Sequence, residues 1–377
     1  MRRTERNLPP AIPTLAIALA LAAAGSAPRA AAQEKPAQAP AETAPLQTVA
    51  PKARAFNISM RHSFNPIPKD LQELHVWFPM PPDTEHQQVH NRQIETAYVV
   101  ESAVDESTGN QFMHMRGGPR GGLPMTASAR FDAQRIEILR RDISPPARKP
   151  TPEEDKAIAD RWLAPDTMTI IDRSLRSQAS KITSGRRQPL ERARAIYDFV
   201  VKELALIENP LELQGAGYGN VAFTLKNLKG DATDLASAFV GLCRAAGIPA
   251  RPIIGFQIPV GIRTGKLGRY HAWAEFYLAG IGWIPADPTE GHRNPSRRDY
   301  YFGSLDENRL EFSTGRDIEM IPPQKGRPLN FFINAYWEGN GREMPTPWVD
   351  VEFTELDQIQ PGTLQMVPTD AATPPPN

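Results

Sequence analysis

Gly230-Asp231-Ala232-Thr233-Asp234-Leu235 opens an amphipathic stretch that closes at Arg244-Ala245-Ala246-Gly247, and its reading decides the fold. Leu235, Phe239, Leu242 and Ala246 recur at the spacing of one helix face. Asp231 and Asp234 are placed to cap the first turn, and Gly247 is a natural stop. A helix is expected from about Ala232 to Ala246. Beyond it, Pro252 to Phe256, Ala272 to Leu278 and Trp283 to Ala286 read as strands, the last two joined by the hairpin loop Ala279-Gly280-Ile281-Gly282. A helix followed by strands that fold back on one another gives an α+β core.

Upstream the pattern changes twice. Phe56, Ile58 and Met60 alternate with polar neighbours, and Leu74-His75-Val76-Trp77-Phe78-Pro79 is a compact apolar run. Tyr98-Val99-Val100 and Arg135-Ile136-Glu137-Ile138 continue the theme between Gly, Pro, Asn and Asp turns, so an antiparallel β domain is expected over 55–143. Thr151-Pro152-Glu153-Glu154 then spells a capping box with proline in the first turn, in a helical connector over 144–184. The core should occupy 185–338, beginning with a helix from Pro189 to about Leu204. From Gly339 the chain turns polar and proline-rich, the composition of a flexible tail over 339–377.

The 377 residues balance 43 basic against 43 acidic side chains, which gives no electrostatic footprint for nucleic acid. Arg2, Arg3 and Arg6 precede a mostly apolar run from Ala11 to Gly25, and Ala30-Ala31-Ala32 offers a small-residue cleavage site. That is the pattern of an export signal over 1–32, followed by an Ala/Pro-rich linker over 33–54. A run this short, carrying Pro13, is a poor membrane span. The expectation is a periplasmic or secreted protein with no stable membrane anchor after cleavage. Cys243 stands alone, so no disulfide can form within the chain.

Two further motifs complete the core: Tyr270-His271-Ala272-Trp273-Ala274-Glu275 and Trp283-Ile284-Pro285-Ala286-Asp287-Pro288-Thr289. With the helix at Asp231-Ala232, they resemble the transglutaminase-like superfamily, relatives of papain-type thiol enzymes, over about 185–337. Trp77-Phe78-Pro79-Met80-Pro81 and Gly109-Asn110 are similar, more loosely, to the β domain ahead of some bacterial members. The resemblance implies a Cys-His-Asp triad with His271 as base, Asp287 as the carboxylate that orients it, and the nucleophile at position 232. A helix N-terminus suits that nucleophile because its unpaired N–H groups and dipole favour a thiolate. Here the residue is Ala232, and a methyl group cannot attack a carbonyl.

Substitutes are scarce. Cys243 is eleven residues along the same helix, about 16 Å away at 1.5 Å per residue. Thr233 is rotated about 100° around the axis. His271, Asp287 and Asp231 make a poor ligand set, so no metal is expected. Gly215 to Asn220 lacks the Lys-Ser/Thr of a phosphate loop, and no cofactor is expected. Trp273 and Asp231 are candidate ligand contacts; core packing and helix capping are their plainer roles. The implied function is an exported, catalytically inactive protein that binds peptide or amine ligands. The alternative is an amide hydrolase or acyltransferase that uses a His271-activated water.

Overall fold

The computed structural model describes residues 50–357, apart from 66, 119–121, 123, 140–142 and 144–148. The export signal and most of the linker lie outside the described residues, as does everything after 357.

Six antiparallel strands lead: β1 (Ala53–Phe64), β2 (Leu74–Met80), β3 (Gln87–Glu95), β4 (Val99–Asp105), β5 (Asn110–Gly117) and β6 (Met125–Ile136). Helices follow: α1 (Pro152–Trp162), α2 (Arg173–Ile182), α3 (Pro189–Glu203), α4 (Val221–Asn227) and α5 (Ala232–Ala245). The core sheet comprises β7 (Ala250–Gln257), β9 (Tyr270–Leu278), β10 (Gly282–Ala286) and β11 (Arg309–Thr314), in the order β10-β9-β7-β11. Between β7 and β9 lies β8 (Thr264–Leu267), and after β10 comes α6 (Pro288–Arg293). Two strands close the described chain, β12 (Tyr336–Gly339) and β13 (Trp348–Leu356). This is the expected α+β architecture, helices packed on an antiparallel sheet and preceded by antiparallel β structure.

The capping box at Thr151 forms as read: its side chain accepts from Glu154 N, and the Glu154 carboxylate accepts from Thr151 N. In β1 the alternation buries Phe56, Ile58 and Met60 completely. Each such side chain contributes roughly 2–3 kcal/mol by apolar burial.

The domain boundaries need two corrections. Trp348–Leu356 is no flexible tail but a strand paired along β1, with Ile58 opposite Phe353, and the first sheet runs β8-β13-β1-β6-β3. Likewise Tyr336–Gly339, assigned to the end of the core, pairs with β2. Val351 and Phe353 supply the apolar alternation that holds β13, a signal masked by the polar residues around it. The β structure is therefore built from both ends of the described residues. One apolar cluster unites Phe56, Ile58 and Phe131 with Phe256, Leu310 and Phe312 of the core sheet. A second packs Leu235, Phe239 and Leu242 of α5 with Tyr197, Trp273 and Phe276.

Candidate functional site

The start of α5 is pinned by carboxylates. Asp231, the N-cap, accepts from Thr233 N at 2.8 Å and Asp234 N at 3.2 Å. Asp234 accepts from Asp231 N at 3.1 Å, from Gly217 N at 2.8 Å and from Gly219 N at 2.9 Å. Thus one buried side chain closes the capping box and straps the glycine-rich loop to the helix. Arg316 reinforces the strap by donating to Ser237 Oγ and to the Tyr218 carbonyl. Gly219 is required here: its φ is +72°, and a Cβ would come within 2.0 Å of Arg316 Nη2. Burial, then the neighbouring Asp234 charge, pushes the Asp231 carboxyl up, although the helix N–H groups and Arg269 oppose this.

α5 packs against β9, and small residues allow the approach: Ala236 and Ala272 share one cluster. At the helix start, Arg269 Nη2 is 3.5 Å from Asp231 Oδ2, and Tyr270 lies against Thr233. Ala232, half-buried, is therefore bracketed by residues that meet the two positions just before His271. The Arg269 guanidinium also donates to the Glu208 carbonyl. The Glu208 carboxylate is held below its usual range, first by hydrogen bonds from Arg293 at 2.9 and 2.6 Å.

His271 is 4% exposed, and its Nε2 lies 2.8 Å from Asp287 Oδ2. Asp287 directly follows β10 and caps α6, its Oδ1 accepting from Glu290 N at 2.9 Å. The same Oδ2 that meets the imidazole also lies 2.8 Å from Nη1 of Arg309, a guanidinium with no exposure. Burial alone would raise the Asp287 carboxyl. The Arg309 charge and then His271 outweigh it and hold it at about 2. An ionised carboxylate accepts from Nε2–H, which leaves Nδ1 as the ring's second hydrogen-bonding atom.

Gly255 explains how Arg309 gets there. It faces His271 on one side and Glu311 on the other, and the register with β11 shifts at Ile254/Gly255. A Cβ at Gly255 would lie 1.9 Å from the Leu310 carbonyl oxygen, so only glycine admits β11 this closely.

Of the residues named from sequence, His271 and Asp287 are joined directly, and Asp231 is the cap. Trp273 needs correcting as a ligand contact. It is fully buried, stacked beside His271 at 6.3 Å and under Arg309 at 5.7 Å, so it offers no surface. Thr233 Oγ1 is buried on the Tyr270 side of the helix start and makes no hydrogen bond to His271. Cys243 is sealed in the core, and burial pushes its thiol well up, the state of an inert packing residue. Among the described residues no group of three His, Cys, Asp or Glu side chains could hold a metal ion. Among them, too, no helix is long and apolar enough to cross a membrane.

Sequence reasoning missed Arg309. In Arg309-Leu310-Glu311-Phe312 charged and apolar residues alternate, the usual mark of a strand with one solvent face. Here both faces are buried.

Residues 176–288 match the family model of the transglutaminase-like superfamily, and the chain carries a domain of that superfamily. An uncharacterised protein of Haemophilus influenzae is 28% identical over 325 residues, covering 73% of this chain and 83% of its own length. YebA of Bacillus subtilis, also uncharacterised, is 26% identical over 157 residues, and the chain spans only 21% of its length. Among solved structures, a candidate cysteine protease from Cytophaga hutchinsonii superposes with a TM-score of 0.54 at 18% identity, over 83% of this chain and 95% of that one. That likeness establishes the fold.

Proposed function

We propose that this chain is an exported transglutaminase-like protein whose nucleophile position is held by Ala232, and that it binds a peptide or amine-bearing ligand at the α5–β9 junction without thiol chemistry. The observation that carries this reading is the pairing of an oriented His271–Asp287 dyad with a methyl at the first residue of α5. The helix start also carries two buried carboxylates, Asp231 and Asp234, which spend on capping the N–H groups that would otherwise favour an anion. Tyr218, 60% exposed, lies in the loop that Asp234 and Arg316 strap to this junction, and would offer a ligand an apolar rim there. Such a rim suits a peptide side chain better than a small ion.

The test is turnover by the purified chain on glutamine- and amide-containing peptides with an amine acceptor. The reading expects none, and no alkylation at the site by iodoacetamide. Peptide turnover abolished by His271→Ala would overturn it and favour the second reading, hydrolysis by a His271-activated water, for which the 2.8 Å His271–Asp287 contact is the supporting geometry. For export, cell fractionation and N-terminal sequencing should find the mature chain outside the cytoplasm and starting near Gln33.

A further inference from the structure

Arg309 is fully buried, and none of its three guanidinium nitrogens has a well-aligned hydrogen bond. It acts on its surroundings by charge. Its carboxylate neighbours are Asp287 at 2.8 Å and Asp306 at 3.8 Å, and its flat faces lie over Trp273 and Tyr301, each at 5.7 Å. Glu290 contributes a more distant negative charge.

We propose that Arg309 is a positioning residue that tempers the dyad: by claiming the same Asp287 oxygen as His271, it weakens the carboxylate's support for a positive imidazole. This deepens the reading above and rests on position 232 being the nucleophile's place. A thiol enzyme needs the opposite, because its resting state is an imidazolium beside a thiolate, and the carboxylate stabilises that imidazolium. Here the oxygen that would do so, Oδ2, already faces a permanent cation, and Oδ1 is spent on Glu290 N. Of the other ionisable groups, Glu208 interacts with His271 from the helix side, the neutral Tyr197 lies beside Asp287, and Asp231 pairs with Arg269 at the helix start. The outcome is a histidine disposed to hydrogen-bond a ligand rather than to form an ion pair with sulfur.

The sign of one measurement separates this from a packing role. Ala232→Cys introduces a thiol at the helix start, and its alkylation by iodoacetamide is followed from pH 5 to 9. The unaltered chain, with only the sealed Cys243, is the background. Adding Arg309→Gln should accelerate alkylation below pH 7 about tenfold, because a unit charge a few ångströms away is removed. If Arg309 only fills space, the double variant reacts at the same rate or more slowly, and the proposal falls.

Should Arg309→Gln fail to fold, Asp306→Asn in the Ala232→Cys background decides. It frees Arg309 from its second carboxylate and should slow alkylation several-fold, whereas an unchanged or faster rate overturns the proposal. A thiol at 232 no more reactive than Cys243 in every background would sink the assignment of position 232 as the nucleophile's place, and this inference with it. A reactive thiol indifferent to Arg309 and Asp306 sinks this one alone.

Discussion

His62 in β1 and His271 in β9 are both sealed from solvent, at 0% and 4% exposure, yet they are held in opposite ways. His62 has no partner for either ring nitrogen and lies against Phe78 at 5.3 Å and Phe64 at 6.5 Å. Burial drives its pKa down to about 4, so it serves as a neutral packing group. His271 lies against a carboxylate that is itself anchored by Arg309 and a helix N-terminus. Burial without partners makes a histidine structural, whereas burial with a fixed partner orients it. A histidine's place in a core therefore says little until its neighbours are counted.

The largest effect should come from removing the partner. Asp287→Ala leaves Arg309 buried and unpaired, frees His271 and uncaps α6, and should cost about 3–5 kcal/mol in urea unfolding. Combining it with Arg309→Met should recover much of that loss. Asp287 also links stability to pH: its depressed carboxyl contributes stability that is complete above about pH 4 and lost as the pH falls through about 2.

Next is Asp234→Ala, which strands the N–H groups of Asp231, Gly217 and Gly219. It should cost about 2–4 kcal/mol, and hydrogen exchange should rise first in the 215–220 loop.

His62→Phe tests the other histidine. The unfolded ring takes up a proton near pH 6.5 and the folded one only near 4, so stability drains away as the pH falls between them. The variant should lose that dependence and gain about 2 kcal/mol at pH 5 relative to its own difference from the unaltered chain at pH 8. Equal pH profiles for the two would refute the partnerless assignment.

Lys156→Ala supplies the small end of the scale. The Lys156–Asp160 pair spans 2.5 Å on the exposed face of α1, and its loss should change stability by less than about 0.5 kcal/mol.

The sequence made local patterns plain and long-range ones obscure. α5 and its caps and the β9–β10 hairpin were legible because each is written in a few neighbouring residues, whereas the pairing of His271 with Asp287 came from the family resemblance. α6 was not, since Asp287-Pro288 reads equally as a strand end and as a helix start. Arg309 was hidden by alternation that looks like surface, and β13 by its polar setting. The loss of Trp273 as a ligand contact follows from depth, which residue type alone does not report.

β13 has a consequence for how the molecule comes into being. Ala55 lies opposite Leu356, so the first sheet is closed by residues some 300 positions downstream. Until those residues are available, β1 has one ladder of N–H and C=O groups open to any passing strand, a hazard for aggregation. Closure across so long a loop also makes for slow folding. A chaperone that shields β1 before synthesis reaches residue 348 would therefore matter more to the yield of this protein than to its final stability.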